Sequence, residues 1–270
     1  MQVARCNQRP LRSSAPRLRS TALRRTVVLV AASKRDDDAG LKVIHCMRHG
    51  VTEMNEYLTV HKHDAEGFKD PLMYDTVLTA RGREGAQAAM KAAERLNPKP
   101  ELLVVSPLTR ALETAQLAFL PHYEGPVLVE PLVRERVWHA SDIGSSREQL
   151  GATFPDGRYD FDSLPDVWWH CVDPADPRAV GLEPQAVFKA RVLELRRWLA
   201  ARPERCIALV AHWGLINELT DGAEFANCEV RSYGMDARVE RRVAASGGAW
   251  TGPPPALRER VPGLLAALFR

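Results

Sequence analysis

The stretch Lys42-Val43-Ile44-His45-Cys46-Met47-Arg48-His49-Gly50-Val51-Thr52-Glu53-Met54-Asn55 decides the fold. Its apolar run, Val43 to Met47, has the length and composition of a buried strand. The run delivers Arg48-His49-Gly50 at its carboxyl end. In open α/β sheets, ligand sites gather at those ends. A neutral imidazole is a nucleophile near neutral pH. An arginine beside it offers a fixed fork of donors for an oxyanion such as phosphate. Gly50 lets the backbone approach a ligand closely. Taken alone, the tripeptide is no more than the end of a strand. The rest of the chain changes that reading.

Downstream, residues 51–75 read as a polar loop holding His61, His63, Asp64, Asp70 and Asp75. His61 and His63 invite a metal, but no cysteine or Glu-x-x-His pattern supports one, so no metal and no cofactor are expected. Thr79 is placed to cap a helix. Ala86, Ala89, Met90, Ala93 and Leu96 recur at helical spacing until Asn97-Pro98 stops it. Leu102 to Val105 is a second strand. It runs into Ser106-Pro107, with Pro107 suited to the first turn of a helix ending near Leu120. Val127 to Glu130 is a third. Residues 131–182 then break the rhythm with Glu135, Trp138, His139, Asp142, Trp168, Trp169 and His170. A long irregular stretch rich in aromatics reads as an insert that roofs a site.

Pro184 opens a helix to about Ala201 with a broad apolar face. Arg205 to Ala211 is a strand, ending in His212-Trp213-Gly214, and a helix follows from about Leu215 to Thr220. Phe225 to Val230 and Ala237 to Ala244 read as further strands. Residues 247–255 read as a Gly/Pro-rich linker and Leu257 to Arg270 as a C-terminal helix. Strands alternating with helices imply an α/β fold with helices on both faces of a sheet. Arg48 and His49, Arg110, and His212 all fall at strand or helix starts. Two arginines and two histidines meeting there make an anion site.

Charge divides the chain. Residues 1–35 hold nine Lys or Arg and no Asp or Glu, and the remainder has 28 basic against 34 acidic residues. The basic balance belongs to the tail. A mildly acidic body argues against nucleic-acid or membrane-surface partners. No apolar stretch reaches the roughly 18 residues of a membrane span. Residues 1–38 read as an organelle transit segment or a basic arm, because residues 1–35 are Arg-rich, Ser-containing and acid-free. Composition does not separate plastid from mitochondrion. The chloroplast is the first expectation and the cytoplasm the alternative. The domain proper is expected over 39–246, with 247–270 as linker and helix. Cys46 and Cys206 fall in strands and read as small buried hydrophobes, with no disulfide framework.

Five motifs in order resemble the histidine phosphatase superfamily, the phosphoglycerate mutase-like group. They are Arg48-His49-Gly50-x-Thr52-x-x-Asn55, Leu78-Thr79-x-x-Gly82, Ser106-Pro107-x-x-Arg110-Ala111-x-x-Thr114-Ala115, Leu132-x-Arg134-Glu135 and Val210-Ala211-His212-x-Gly214. The resemblance spans about residues 41 to 230. Asp142-Ile143-Gly144 and Trp168-Trp169 look like the plant-type branch of unassigned substrate. Three departures stand out. Gly85 replaces a usual Gln. Trp213 replaces a usual small residue, which implies a narrower phosphate pocket. The long insert of cofactor-dependent mutases is not recognisable.

The resemblance implies a three-layer α/β/α sandwich around a mostly parallel sheet. It implies a metal-independent phosphatase acting on a small phosphorylated metabolite. His49 would take the phosphoryl group, Arg48, Arg110 and His212 would hold its oxygens, and Glu135 would be the general acid, with Asp142 in reserve. Asn55 and Thr52 would assist binding. A phosphoglycerate-type mutase and a weakly active phospholigand-binding member are the alternatives. Oligomeric state is not readable from the sequence.

Overall fold

The computed structural model describes residues 40–63, 65–238 and 258–259. The tail over 1–38 and most of 247–270 lie outside the described residues. Among the described residues, six strands form one sheet: β1 (Leu41–Arg48), β2 (Leu102–Val105), β3 (Val127–Val129), β4 (Cys206–Ala211), β5 (Val230–Asp236) and β6 (Arg258–Glu259), in the order β3-β2-β4-β1-β5-β6. The first four are mutually parallel; β5 runs antiparallel to β1, and β6 to β5. The α/β fold with a mostly parallel sheet is therefore as expected.

Side chains alternate across a strand, so each strand feeds two cores. On one face, Met47, Leu103, Val105, Ala208 and Val210 pack with Ala93 of α2 (Ala80–Glu94) and with Ala111, Leu112 and Ala115 of α3 (Thr109–Ala118). On the other, Ile44, Cys46, Leu102, Val104, Ile207 and Leu209 pack with α5 (Gln185–Ala201) and α6 (Trp213–Leu219). Three layers result. Cys46 and Cys206 are buried in the sheet, and burial pushes the Cys46 thiol up to about 12. No helix among the described residues is long and apolar enough to cross a membrane.

Several local expectations need correction. The 51–75 segment is not all loop: it contains α1 (Glu53–Val60), opened by a capping box between Thr52 and Asn55. Pro107 is not in the first turn of α3; Leu108 is the N-cap and the helix begins at Thr109. Phe225 to Glu229 is a loop that turns at Asn227-Cys228, where Cys228 adopts a left-handed φ of 62°. The strand starts only at Val230 and buries Tyr233 and Met235. Ala237 and Arg238 have helical backbone rather than extended, and 239–244 lie outside the described residues. Arg258–Glu259 pairs with β5 where a helix was expected.

The 131–182 insert has more structure than a roof. It carries α4 (Arg147–Thr153) and two 3-10 turns, Pro131–Val133 and Ala140–Asp142. Leu150, Phe154, Tyr159, Phe161, Trp168 and Trp169 all join the core beside α3. Gly144 makes this possible, because a Cβ there would lie 2.0 Å from the Trp168 ring. Within the insert, the residues that reach the cavity fall between Glu135 and Asp142.

Candidate active site

Strands β1, β2 and β4 are neighbours, and their carboxyl ends open into a cavity of about 360 Å³. Its wall includes Arg48, His49, Thr52, Asn55, Arg110, Glu135 and Asp142. Six of the seven residues picked from the sequence, and the reserve Asp142, thus share one wall. The seventh, His212, is fully buried behind it, with its ring centroid 5.1 Å from that of His49.

His49 is fixed by its neighbour. Its Nδ1 lies 2.7 Å from the Gly50 carbonyl, which can only accept, so Nδ1 carries the proton and Nε2 keeps its lone pair. Burial lowers the imidazole well below its usual 6.5, and the charges of Arg110 and Arg48 push it the same way. The ring is therefore neutral at physiological pH, with Nε2 unprotonated.

Arg48 donates through Nη1 to the Phe225 carbonyl at 2.7 Å. Its buried Nε has no partner among the described residues. A second buried polar atom on the wall, Thr76 Oγ1, is also unpartnered. Unpaired buried donors are costly, and an oxyanion or ester oxygen would satisfy them.

Arg110 is held from three sides. Nη1 donates to the Ser141 carbonyl at 2.6 Å, Nη2 to Asp142 Oδ1 at 2.8 Å, and Nε to His212 Nδ1 at 3.3 Å. The first turn of α3 is itself pinned by Asp75, which accepts from the Thr109 amide and hydroxyl, each at 2.8 Å. Because His212 Nδ1 accepts from Arg110, its Nε2 is the protonated nitrogen and donates to Ser106 Oγ at 2.7 Å. Both ring nitrogens are engaged. Burial and Arg110 keep this imidazole well below 6.5 as well. His212 thus supports Arg110 and packs against His49, directly behind the cavity wall.

Glu135 sits at the amino end of α6. Oε2 accepts from the Gly214 amide at 2.9 Å, and Oε1 from the Arg136 and Leu215 amides at 2.9 and 3.1 Å. Burial raises its carboxyl above the usual 4.5, the charge of Asp142 adds to that, and the amides only partly offset it. Gly214 is required here: a Cβ would lie 2.7 Å from Glu135 Oε1. Asp142 is committed elsewhere. Its Oδ1 pairs with the Arg110 guanidinium and its Oδ2 accepts from the amides of Trp138 and His139 at 3.0 and 3.2 Å, whereas the three bonds that Glu135 accepts come from backbone amides.

Thr52 and Asn55 reach the wall but spend themselves on the capping box. Thr52 Oγ1 accepts from the Asn55 amide, and Asn55 Oδ1 from the Thr52 amide. Asn227, which the sequence reading did not select, donates to the His49 carbonyl at 2.9 Å and to Asn55 Oδ1 at 3.3 Å. It lies on the loop mistaken for a strand, so no periodic signal marked it. Trp138, His139, His63 and Trp213 also line the cavity. His61 parts from His63 and stacks on Tyr57 at 4.2 Å. Among the described residues, no group of three His, Cys, Asp or Glu is arranged to hold a metal.

Comparison with known proteins fits this geometry. A model of the histidine phosphatase superfamily (branch 1) matches residues 44–232. A Schizosaccharomyces pombe protein named "Probable phosphatase" is 28% identical over 184 residues, covering 63% of this chain and 74% of that one. The glucosyl-3-phosphoglycerate phosphatase of Mycolicibacterium vanbaalenii is 33% identical over 181 residues, covering 64% and 70%. The solved structure of a mycobacterial glucosyl-3-phosphoglycerate phosphatase aligns at a TM-score of 0.45 and 22% identity, covering 82% of this chain and 96% of that one.

Proposed function

Because the chain belongs to the histidine phosphatase superfamily (branch 1), we propose that it hydrolyses a phosphomonoester of a small metabolite through a phosphohistidine at His49. Like its relatives it is a phosphatase. The observation that carries the finer reading is the Nδ1 bond from His49 to Gly50, which leaves a neutral, lone-pair-bearing Nε2 beside two guanidinium groups.

In the first step, Nε2 attacks phosphorus and the ester P–O bond breaks. The Glu135 proton goes to the leaving oxygen, which departs as an alcohol. In the second step, water attacks phosphorus and the P–N bond breaks. Glu135, now a carboxylate, takes the water's proton, and inorganic phosphate leaves. One carboxyl serves both steps because the second reverses the first proton transfer. A raised carboxyl suits the acid role, since it stays protonated to higher pH. Arg48 and Arg110 supply the positive charge that a phosphoryl transfer needs, so the step requires no added metal. His212, Ser106 and Asp142 keep Arg110 in place.

The test is release of inorganic phosphate from small phosphomonoesters in the presence of a strong chelator. Turnover under those conditions supports the reading. Rapid interconversion of 2- and 3-phosphoglycerate without phosphate release would replace it with a mutase. Loss of activity on chelation, with recovery on adding Mg²⁺, would replace the metal-independent step. For the tail over 1–38, the acid-free, Arg-rich composition of residues 1–35 supports an organelle address, the chloroplast first. An import assay giving a mature product that starts between about residues 30 and 40 tests that.

A further inference from the structure

Beyond its phosphoryl end, the cavity changes character. Met54, Leu58, Trp138 and Trp213 line it, together with His63 and His139. Trp138 and Trp213 are 42% and 40% exposed, and both line this one cavity. Neither is loose. Trp138 lies under the Arg136 guanidinium at 4.2 Å, and its amide donates to Asp142. Trp213 donates through Nε1 to Glu224 Oε2 at 2.8 Å. Each indole is therefore held from outside the cavity, and the two aromatic surfaces are set before any ligand arrives. Rigid aromatic surfaces held in this way bind flat apolar groups at low entropic cost.

Charge narrows the choice further. Among the described residues that line the cavity there is no lysine, and no arginine besides Arg48 and Arg110. Arg136 is turned away, donating to the Glu183 carbonyl and to Gln185 Oε1. Behind His139 stands a carboxylate, with Asp70 Oδ2 3.7 Å from His139 Nδ1. A second phosphate or a carboxylate on the substrate would find no lysine and no further arginine in the lining to offset the cost of burying it.

From these observations we infer that the substrate is a phosphomonoester with one anionic group, whose alcohol part carries a flat aromatic or apolar group seated between Trp138 and Trp213. This rests on the phosphatase reading and adds the class of leaving group. Trp213 then has a use: it does not block the phosphate end but forms one wall for the alcohol.

The test separates recognition from leaving-group reactivity. Ethyl phosphate and 2-phenylethyl phosphate leave as alcohols of similar acidity, so a difference in kcat/KM reports the extra phenyl contact. The phenyl ester should be favoured by on the order of tenfold or more, the usual effect of added apolar contact in a pocket. Trp138→Ala and Trp213→Ala should each collapse that ratio toward one, and Trp138→Phe should retain most of it. 3-Phosphoglycerate should be the poorer substrate by a similar factor. The proposal is overturned by equal use of the two esters, by a ratio that survives both alanine variants, or by preference for 3-phosphoglycerate. Calorimetry with ethylphosphonate and 2-phenylethylphosphonate gives an independent reading. Tighter binding of the phenyl compound without turnover of either ester would uphold the subsite while removing the phosphatase reading. Equal binding of the two phosphonates would remove the subsite.

Discussion

Asp142 Oδ1 lies 2.8 Å from Arg110 Nη2, and both side chains are buried. The carboxylate's other oxygen holds the amides of Trp138 and His139. The carboxylate thus anchors Arg110 and the Trp138-His139 turn. Asp142→Ala would leave the Arg110 charge buried and unpaired. Losing one partner of a buried pair costs about 3–5 kcal/mol. Chemical denaturation should show that loss, together with a rise in KM. A stable variant with normal KM and a fall confined to kcat would return Asp142 to the role of acid.

Glu135 and His49 set the pH profile. His49 is lowered well below 6.5, so it stays unprotonated and nucleophilic until the pH falls well into the acid range. Glu135 is raised above 4.5, so it stays protonated to higher pH than a free carboxyl and then fails as an acid. Activity on an alkyl ester should therefore persist above the ordinary carboxyl range and fall as pH rises through the raised Glu135 titration. Glu135→Gln should remove that alkaline limb and lower the rate by on the order of 10²–10⁴-fold, the usual contribution of a general acid. An aryl ester, whose leaving group needs little protonation, should lose less. Equal losses on both ester types would give Glu135 a positional role.

Gly214 tests the same carboxyl from the other side. A methyl group there would meet Glu135 Oε1 at 2.7 Å, and one of the two must move. Gly214→Ala should reduce alkyl-ester turnover by on the order of 10²-fold, the scale set by a misplacement of about 1 Å. Its effect on an aryl ester should be smaller. Unchanged turnover on both would mean that the carboxyl position does not matter.

Behind Glu135 lies a buried clamp. Arg191 donates to the carbonyls of Leu132, Arg134 and Glu135, and Glu183 accepts from Arg191 and Arg134. Burial alone would raise Glu183, but Arg191 and Arg134 together bring it below its usual 4.5. A lowered carboxyl contributes stability that is present above about pH 4.5 and is lost as the pH falls through the lowered value. Glu183→Gln should therefore lower Tm at neutral pH and show a weaker acid dependence than the parent. Parallel Tm curves down to pH 3 would rule out this linkage.

Much of the fold was legible because β2 and β4 are continuous apolar runs and β1 is nearly so, and Arg48, His49, Arg110 and His212 follow at or just past their carboxyl ends. What escaped has physical reasons. Among the residues of α1 only Met54 is buried, and Asn55 stands at N3 where Glu or Gln is the usual signal. β5 buries alternate residues, Tyr233 and Met235, rather than a run, so a search for apolar runs stopped at the loop before it. The site residues were legible as a set, but their division of labour was not. That Arg110 and Asp142 meet across 32 positions, or that His212 turns toward Arg110 and Ser106, follows from packing and has no spacing to announce it.

The central claim is that His49 takes the phosphoryl group on Nε2. Rapid quench with ³²P-labelled substrate, followed by alkaline digestion and identification of the phosphohistidine isomer, tests it most directly. An acid-labile, base-stable adduct on Nε2 of His49, absent from His49→Ala, is the predicted result. A phosphoryl group on Nδ1, which the Gly50 carbonyl holds, or an adduct that persists in His49→Ala, would contradict it.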